Sequence, residues 1–106
     1  MNTKLYIGGQ LVEGEGSVLD VENPADGTII QSFRGASAAQ AEEALKAAKL
    51  AFSTWSRTSV DERIAWMQKF QAELYKDQDL LVELDSMESG KPYKSAVGDF
   101  MAGAGL

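Results

Sequence analysis

The residues of this chain best placed for chemistry are Glu88 and Lys91, within the segment Glu88-Ser89-Gly90-Lys91-Pro92. A glycine suits the end of one helix, and a proline suits the first position of the next. Glu88 therefore falls in the last turn of a predicted helix, where exposed carbonyl oxygens disfavour an anion by about 0.3–1 kcal/mol. We expect a positive charge close to this carboxylate.

Two kinds of partner meet that expectation. Lys91 follows Glu88 at a spacing of three, at which oppositely charged side chains form weakly stabilising pairs. Alternatively, a bound cation shares the Glu88 carboxylate with nearby backbone carbonyl groups, because hard cations prefer oxygen ligands. The spacing alone does not decide between a lysine pair and a cation site, and both hypotheses stay open.

The groups that catalysis most often uses are scarce. The chain has no His and no Cys, so the commonest general base and the most easily activated nucleophile are missing. Lys91 belongs to no phosphate-binding loop, because Asp85 stands where such a loop needs glycine. The segment Gly103-Ala104-Gly105 begins like a dinucleotide fingerprint, but a helical pattern precedes it instead of a strand. The sequence therefore predicts no catalytic and no cofactor-binding residue.

Composition limits the class of protein further. The chain has 106 residues, of which 44% are hydrophobic, which indicates one globular domain at most. Its net charge of −6 argues against a nucleic-acid partner, because a basic surface supplies most of that affinity. No run of 18 apolar residues indicates a membrane span, and the N-terminal residues lack the pattern of a secretory signal. We therefore expect a cytoplasmic protein with no membrane partner.

The first third of the chain is predicted to form two β-hairpins. Gly8-Gly9 has the chemistry of a two-residue hairpin turn. Asn23-Pro24-Ala25-Asp26-Gly27 combines a fixed proline φ with a glycine that tolerates positive φ, which is typical of a turn. Residues 18–22 alternate apolar and acidic side chains, which predicts a half-buried strand. In chain order the predicted strands are 5–7, 10–12, 18–22 and 28–33.

From Ser37 the apolar period changes to that of a helix. Ser37 with Gln40, and Ser59 with Glu62, form capping boxes that mark the starts of two helices. A third helix is predicted from about residue 78 to 87, and a fourth begins with Pro92 as its first residue. The apolar stripes expected to face a core are Ala41, Ala44, Leu45, Ala48 and Phe52; Val60, Ile64, Met67, Phe70 and Leu74; Leu80, Leu81, Leu84 and Met87; and Ala96, Val97, Phe100 and Met101.

Two further features concern the ends of these helices. Trp55, between the first two helices, is predicted to plug the core at the corner. The fourth helix runs into Gly103-Ala104-Gly105-Leu106, where glycine disfavours the helix by about 1 kcal/mol per residue. We expect this end to fray, and we interpret it as the interruption of a longer structure.

Several short motifs follow one another in a specific order between Tyr6 and Phe100. Each is weak alone, whereas their order and spacing are specific. They are Tyr6-Ile7-Gly8-Gly9, Val21-Glu22-Asn23-Pro24-Ala25-Asp26-Gly27, Ala51-Phe52 followed by Trp55, Ser59-Val60-Asp61-Glu62-Arg63, and Glu88-Ser89-Gly90-Lys91-Pro92 with Gly98-Asp99. Together they resemble the N-terminal segment of the NAD(P)-dependent aldehyde dehydrogenase superfamily.

This resemblance implies an α/β fold of which the chain supplies one part. Residues 1–36 would form β-ribbons and residues 37–106 about four helices, at the edge of a Rossmann-like NAD(P)-binding domain. The catalytic and oligomerisation domains are absent from the chain. The family oxidises an aldehyde to a carboxylic acid: a Cys thiolate attacks the carbonyl, a hydride passes to NAD(P)+, and a Glu-activated water hydrolyses the thioester.

The resemblance also implies one metal site. In several family members a structural monovalent cation is held by backbone carbonyls just before the Asn-Pro turn and by the acid preceding the Gly-Lys-Pro step. These positions match Val21, Glu22 and Glu88. Some members carry Asp at the last position, so the longer Glu88 side chain has to adopt a different position.

Two hypotheses on function follow. In the first, the chain is an N-terminal fragment of an aldehyde dehydrogenase, inactive alone, whose partners are the rest of that polypeptide and a small aldehyde. The full-length family uses NAD or NADP and forms dimers or tetramers, and apolar faces left uncovered predict self-association or partial order of the fragment. In the alternative, the chain is a free-standing, non-catalytic helical module that binds a protein through the Ala-rich face of its first helix.

Overall fold

Four short strands precede four helices in the computed structural model, which describes residues 2–105. This order confirms the α/β prediction of two hairpins followed by about four helices. The strands are β1 (Leu5–Ile7), β2 (Gln10–Val12), β3 (Val18–Glu22) and β4 (Ile29–Arg34); the helices are α1 (Ala38–Trp55), α2 (Val60–Lys76), α3 (Gln78–Ser89) and α4 (Tyr93–Ala104).

The first hairpin has the turn that its sequence predicts. Strands β1 and β2 pair antiparallel with Ile7 opposite Gln10, which leaves a two-residue loop. Both loop residues are left-handed, Gly8 with φ +58° and Gly9 with φ +83°, a conformation that side chains other than glycine rarely adopt. Strands β3 and β4 form a second two-stranded sheet around the Asn-Pro turn.

The described residues divide into two compact units. The first unit comprises residues 2–20 and 31–58 and contains β1, β2 and α1. The second comprises residues 21–30 and 59–105 and contains α2, α3 and α4. The β3–β4 ribbon contributes residues to both units.

In the first unit, a buried glutamine fixes the start of α1. The Ser37–Gln40 capping box is present, and Gln40 is only 6% exposed. Its amide oxygen accepts hydrogen bonds from the backbone N–H groups of Ser37 (3.1 Å) and Glu15 (2.9 Å), and its amide nitrogen donates to the Glu13 carbonyl (2.8 Å). This buried amide is therefore satisfied on both sides, as burial of a polar group requires.

Three predictions about burial in the first half of the chain are wrong. Trp55 is 44% exposed and does not plug a core. On the predicted core face of α1, Leu45 and Phe52 are exposed. Strand β3 is exposed except for the half-buried Val21, although its alternation predicted a half-buried strand. The amphipathic patterns are genuine, but within residues 2–105 the apolar faces that they create are covered only in part.

The second unit has a small core between α3 and α4. Val82 and Ala96 are each 1% exposed, and Ala104 is also buried. Near the end of α2, the ring of Tyr75 meets the ring of Phe100 in α4 edge to face with their centroids 5.6 Å apart, a favoured aromatic geometry. Val82 lies outside the stripe predicted for its helix, whereas Ala96 lies within the predicted one.

Helix α2 contrasts with this core. The Ser59–Glu62 capping box is present, with the Ser59 N–H donating to Glu62 Oε2 (2.8 Å) and the Glu62 N–H donating to Ser59 Oγ (3.2 Å). None of the 17 residues of the helix is buried. On its predicted core stripe Ile64 is 49% and Met67 64% exposed. The start of α2 is thus confirmed, and the prediction that its stripe packs in a core is wrong for residues 2–105.

The passage from α3 to α4 differs in register from the prediction. Helix α3 ends at Ser89, two residues later than expected, and Gly90 follows it with φ +70°. Helix α4 begins at Tyr93, so Pro92 is the residue before the helix and not its first residue. The proline ring fixes φ at −57°, a helical value, but ψ is 139°, which is extended. The helix then continues through Gly103 to the buried Ala104.

Within residues 2–105, no helix combines the length and apolar character needed to cross a membrane.

Candidate functional site

The site suggested by the sequence lies in the second unit, where the Asn-Pro turn (residues 23–27) meets the α3–α4 joint (residues 85–92). A Cβ atom added to Gly90 would lie 2.7 Å from Cγ of Pro24, well inside van der Waals contact. Gly90 is therefore required twice, by its positive φ and by the close approach of the proline ring. This contact brings together two segments that are more than sixty residues apart in sequence.

The Asn-Pro turn is closed by its own hydrogen bonds. The Asn23 side-chain oxygen accepts from the N–H of Ala25 (2.9 Å), and its carbonyl accepts from the N–H of Gly27 (2.8 Å). The Asn23 N–H donates to the Thr28 carbonyl (2.8 Å), which closes the base of the turn. Each residue type suits its position in the turn. The asparagine side chain bonds to the backbone two residues on, proline fixes φ, and glycine tolerates positive φ.

Asp26, at the tip of this turn, is held as a carboxylate. The Thr28 hydroxyl donates to its Oδ1 at 2.7 Å, and the Thr28 N–H donates to the same atom at 2.9 Å. These bonds, the hydroxyl first, lower the pKa of Asp26. Hydrogen bonds to the charged form favour it, so Asp26 remains ionised at neutral pH and stabilises the turn through its bonds to Thr28.

The α3–α4 joint is closed by bonds across Gly90. The Gly90 N–H donates to the Ser86 carbonyl (3.0 Å), and the Ser86 hydroxyl donates to the Lys91 carbonyl (2.8 Å). The first bond satisfies a carbonyl group in the last turn of α3, and the second satisfies the carbonyl group of Lys91 beyond the helix. The path of the chain out of α3 is thereby fixed.

Lys91 pairs with two aspartates. Its Nζ lies 2.7 Å from Oδ2 of Asp99 in α4 and 3.1 Å from Oδ2 of Asp85 in α3. The hydrogen bond to Asp99, followed by that to Asp85, raises the pKa of Lys91 above its usual value. The suggestion that Lys91 pairs with Glu88 is therefore wrong. Because Gly90 is left-handed, residue 91 leaves the helical path on which a spacing of three brings side chains together.

The three predicted cation ligands belong to the two segments that meet at the Pro24–Gly90 contact. Val21 is half-buried, and Glu22 and Glu88 are exposed. Pro24 follows Glu22 by two residues, and Gly90 follows Glu88 by two residues. No salt bridge is found for the Glu88 carboxylate within residues 2–105. The arrangement leaves this carboxylate, at a helix end rich in carbonyl oxygens, available for a positive partner.

The donor atoms limit what could bind there. In the described part of the chain, no group of three or more His, Cys, Asp or Glu side chains is placed to hold a metal ion. A cation between these segments would therefore take most of its ligands from backbone carbonyl oxygens. Oxygen ligands of this kind suit a hard cation and do not suit a transition metal that prefers nitrogen or sulfur.

The glycines near the end of the chain do not form a nucleotide-binding turn. Gly103 lies inside α4 and Gly105 directly follows that helix. A dinucleotide fingerprint needs a strand that leads through a glycine-rich turn into a helix, because the pyrophosphate binds at the helix N-terminus. The segment thus offers a helix C-terminus where a nucleotide requires an N-terminus.

Sequence reasoning missed the role of Asp85 and Asp99 as partners of Lys91. They lie six residues before and eight residues after the lysine, and neither separation is a helical contact spacing. A signal was nevertheless present, since Asp99 belongs to the Gly98-Asp99 pair that accompanies the Gly90-Lys91-Pro92 step. A basic residue at a helix break, with acidic residues in the helices before and after it, is a candidate for such ion pairs.

Comparison with known proteins identifies the family. The model of the aldehyde dehydrogenase family matches residues 11–106. Malonate-semialdehyde dehydrogenase of Bacillus pumilus is 42% identical over 101 residues, which is 94% of this chain and 21% of that protein.

Two crystal structures superpose closely. The NAD-dependent benzaldehyde dehydrogenase of Corynebacterium glutamicum has a TM-score of 0.91 and 31% identity, over 99% of this chain and 23% of that one. The NADP-dependent glyceraldehyde-3-phosphate dehydrogenase of Bacillus halodurans has a TM-score of 0.90 and 26% identity, over 99% and 22%.

The chain therefore belongs to the aldehyde dehydrogenase family, and the resemblance to the N-terminal segment of that family is confirmed. The chain spans about a fifth of the length of the curated relatives that it matches.

Proposed function

We propose that this chain serves as the N-terminal part of an enzyme that oxidises an aldehyde to a carboxylic acid with NAD(P)+. The observation that carries the proposal is a superposition on the benzaldehyde dehydrogenase at a TM-score of 0.91. It covers 99% of this chain but only 23% of that enzyme's chain. A match of this extent to only one region of a larger enzyme favours a contributing segment over a free-standing module.

The chain contributes structure to this reaction and not its reactive groups. It has no Cys, so the thiolate that attacks the aldehyde belongs to the rest of the enzyme. NAD(P)+, when bound there, accepts the hydride. We assign residues 1–36 and 37–106 to the ribbons and helices at the edge of the cofactor-binding domain, with the catalytic and oligomerisation domains outside them. The similar structures include an NAD-dependent and an NADP-dependent enzyme, and their names support either cofactor.

The partners, the location and the oligomeric state of the enzyme form part of the same proposal. We infer that the partners of this chain are the remaining polypeptide and, in the whole enzyme, a small aldehyde. The whole enzyme is expected to be a cytoplasmic dimer or tetramer. None of the described contacts favours the alternative of an independent interaction module.

A chimera tests this function directly. Residues 1–106 are joined to the remaining four fifths of the Bacillus pumilus malonate-semialdehyde dehydrogenase in place of its matched segment. We expect the purified chimera to reduce NAD(P)+ when malonate semialdehyde is added, because the segment supplies the matching edge of the fold. The isolated chain, measured in parallel, should show no activity.

Two controls make the result decisive. The remainder of the Bacillus enzyme without any N-terminal segment should have much lower activity than the chimera. The intact Bacillus enzyme sets the upper limit. A chimera that folds as well as the intact enzyme but does not oxidise the aldehyde would contradict the proposed function.

We also propose that Val21, Glu22 and Glu88 hold a structural monovalent cation. This site is supported by the close contact of Pro24 with Gly90 and by the lack of a salt bridge to the Glu88 carboxylate among residues 2–105. In the active chimera, Na+ or K+ should raise Tm, relative to choline chloride at equal ionic strength. The Glu88→Gln variant should lose this response. An identical response in both proteins would rule out ligation by Glu88.

A further inference from the structure

Asp26 is the one aspartate of the sequence that a glycine follows. The backbone nitrogen of the residue after an aspartate can attack the side-chain carboxyl group and close a five-membered succinimide ring. Glycine at that position makes the attack easiest, because it has no Cβ atom to hinder the approach. Asp26 and Gly27 are both exposed in the Asn-Pro turn, so among residues 2–105 no packing shields this pair from water.

The reaction of such a pair needs only water. Ring closure joins the Gly27 nitrogen to Cγ of Asp26 and breaks one carboxyl C–O bond. The oxygen leaves as water, which takes the amide proton and the proton of the neutral carboxyl group. A second water molecule then opens the ring. Attack at Cγ restores aspartate, whereas attack at the backbone carbonyl carbon gives isoaspartate, in which the main chain runs through the side chain.

Thr28 holds the carboxyl group that would have to react. Its hydroxyl donates to Oδ1 of Asp26 at 2.7 Å, and its backbone N–H donates to the same oxygen at 2.9 Å. Two donors from one residue restrict the rotation that would bring Cγ of Asp26 onto the Gly27 nitrogen. The same bonds lower the pKa of Asp26, and the ionised form lacks the proton that the departing water takes.

The attacking nitrogen is also held by the turn. The Gly27 N–H donates to the Asn23 carbonyl at 2.8 Å, and the Asn23 N–H donates to the Thr28 carbonyl at 2.8 Å. The nitrogen must lose its proton to attack, and a proton bonded to a carbonyl group within the turn is poorly accessible to base. The carboxyl group and the nitrogen are thus held by separate hydrogen bonds, and ring closure requires both to be broken.

We propose that Asp26-Gly27 is a site of isoaspartate formation, and that the Thr28 hydroxyl keeps it unreactive while the Asn-Pro turn is folded. This modification site is independent of the proposed function, because the reaction involves only residues of the turn. Isoaspartate adds one atom to the main chain between Asn23 and Gly27, so the product cannot keep the hydrogen bond that joins them in its present geometry.

The modification would also affect the α3–α4 joint. The turn that contains Asp26 carries Pro24, which lies against Gly90. A turn with a longer main chain places Pro24 differently, so we expect isoaspartate at residue 26 to weaken this contact. The Thr28 hydroxyl therefore protects both the covalent structure of the turn and its packing.

Ageing of the full chain at neutral pH and physiological temperature tests the proposal. Thr28→Val removes the hydroxyl and keeps the shape of the side chain, whereas Thr28→Ser keeps the hydroxyl. Mass-spectrometric fragmentation of the tryptic peptide 5–34 measures isoaspartate at residue 26. We expect Thr28→Val to form it roughly threefold to tenfold faster than the native chain, as loss of one hydrogen bond implies, and Thr28→Ser to stay near the native rate.

Synthetic peptides of residues 21–30 with the three sequences provide the reference without a folded turn. They should react at similar rates, each at least about tenfold faster than the native chain, since a folded turn reacts only after it opens. Ser59→Ala, which weakens the cap of α2 away from the turn, is the control for general loss of stability. It should leave the rate at Asp26 unchanged. If Thr28→Val fails to fold, Thr28→Ala takes its place with the same expectation.

Three results would overturn the proposal. The first is a native chain that forms isoaspartate as fast as its peptide, because the folded turn would then give no protection. The second is an equal acceleration by Ser59→Ala, which would attribute the effect to general opening of the chain. The third is an equal acceleration by valine in the peptide, which would attribute it to the local sequence and not to the hydrogen bond from Thr28.

Discussion

The α3–α4 joint and helix α2 belong to the same unit, yet they meet their structural requirements in opposite ways. At the joint, Lys91 has two carboxylate partners and Gly90 lies against Pro24. Helix α2 has a well-formed cap at Ser59 but no buried residue. The contacts of the joint are made within this chain, whereas the apolar residues in the first turns of α2 remain exposed.

The energetic consequence for α2 is large. Full burial of a Val, Ile, Met or Phe side chain stabilises by about 1.5–3 kcal/mol. Val60, Ile64, Met67 and Phe70 are each about half exposed or more, so covering them would contribute roughly 3–6 kcal/mol in total. This is a large part of the stability of a small domain, which is typically about 5–15 kcal/mol. The difference between the two regions shows which contacts form within this segment and which apolar residues require contacts from outside it.

The largest effect is expected at the joint, from Gly90→Ala. The substitution combines an unfavourable left-handed conformation with a clash against Pro24, and we expect a loss of about 2–4 kcal/mol in the free energy of unfolding. Urea unfolding followed by circular dichroism measures it.

Gly98→Ala is the matched control for that substitution. Gly98 lies inside α4, and no atom outside its own helix backbone and chain neighbours lies within 4 Å of an added Cβ. Alanine is favoured over glycine in a helix, so the control should gain about 0.5–1 kcal/mol. If the two alanine variants had the same stability, the joint would not be the closed structure described above.

A smaller effect is expected from removal of the α2 cap by Ser59→Ala. Loss of a serine N-cap costs about 1 kcal/mol. Because the first turns of α2 are exposed, we expect hydrogen exchange to accelerate there while Val82 and Ala96 keep their protection. Ser53→Ala, in the exposed part of α1, is the control. Acceleration throughout α3 and α4 would show that α2 is not energetically separate from the joint.

The smallest effect is expected from Lys91→Met, and it depends on pH. The pKa of Lys91 is raised in the folded chain, so its contribution is fully present below the unfolded value of about 10.4 and is lost as pH rises through the folded value. The variant should therefore be less stable than the native chain at pH 8, and the difference should shrink above pH 10.4.

Lys94→Met, at an exposed lysine of α4, controls for the change in net charge. Unfolding free energies for the three proteins at a series of pH values provide the comparison. A difference between the native chain and Lys91→Met that stayed constant through this range would exclude an ion-pair origin.

Features that depend on a few adjacent residues could be predicted from the sequence. The Gly8-Gly9 turn and the capping boxes at Ser37 and Ser59 are confirmed because each is determined by local backbone chemistry. The left-handed Gly90 after α3 was predicted for the same reason.

Features that depend on distant residues could not be predicted. The partners of Lys91 were missed because Gly90 and Pro92 interrupt the helical spacing on which the prediction relied. The burial of Trp55 and Ile64 was predicted incorrectly because an amphipathic pattern shows that a face is apolar without showing what covers it. The pairing of the Asn-Pro turn with the joint depends on a contact between Pro24 and Gly90 that no local pattern reveals.

Hydrogen exchange of the α2 amides, measured in the isolated chain and in the chimera, tests most directly whether α2 is completed by the rest of the enzyme. We predict that protection of residues 60–74 rises by at least about tenfold in the chimera, which corresponds to about 1.4 kcal/mol, while the amides around Val82 and Ala96 change much less. Equal protection of α2 in the two proteins would contradict this conclusion.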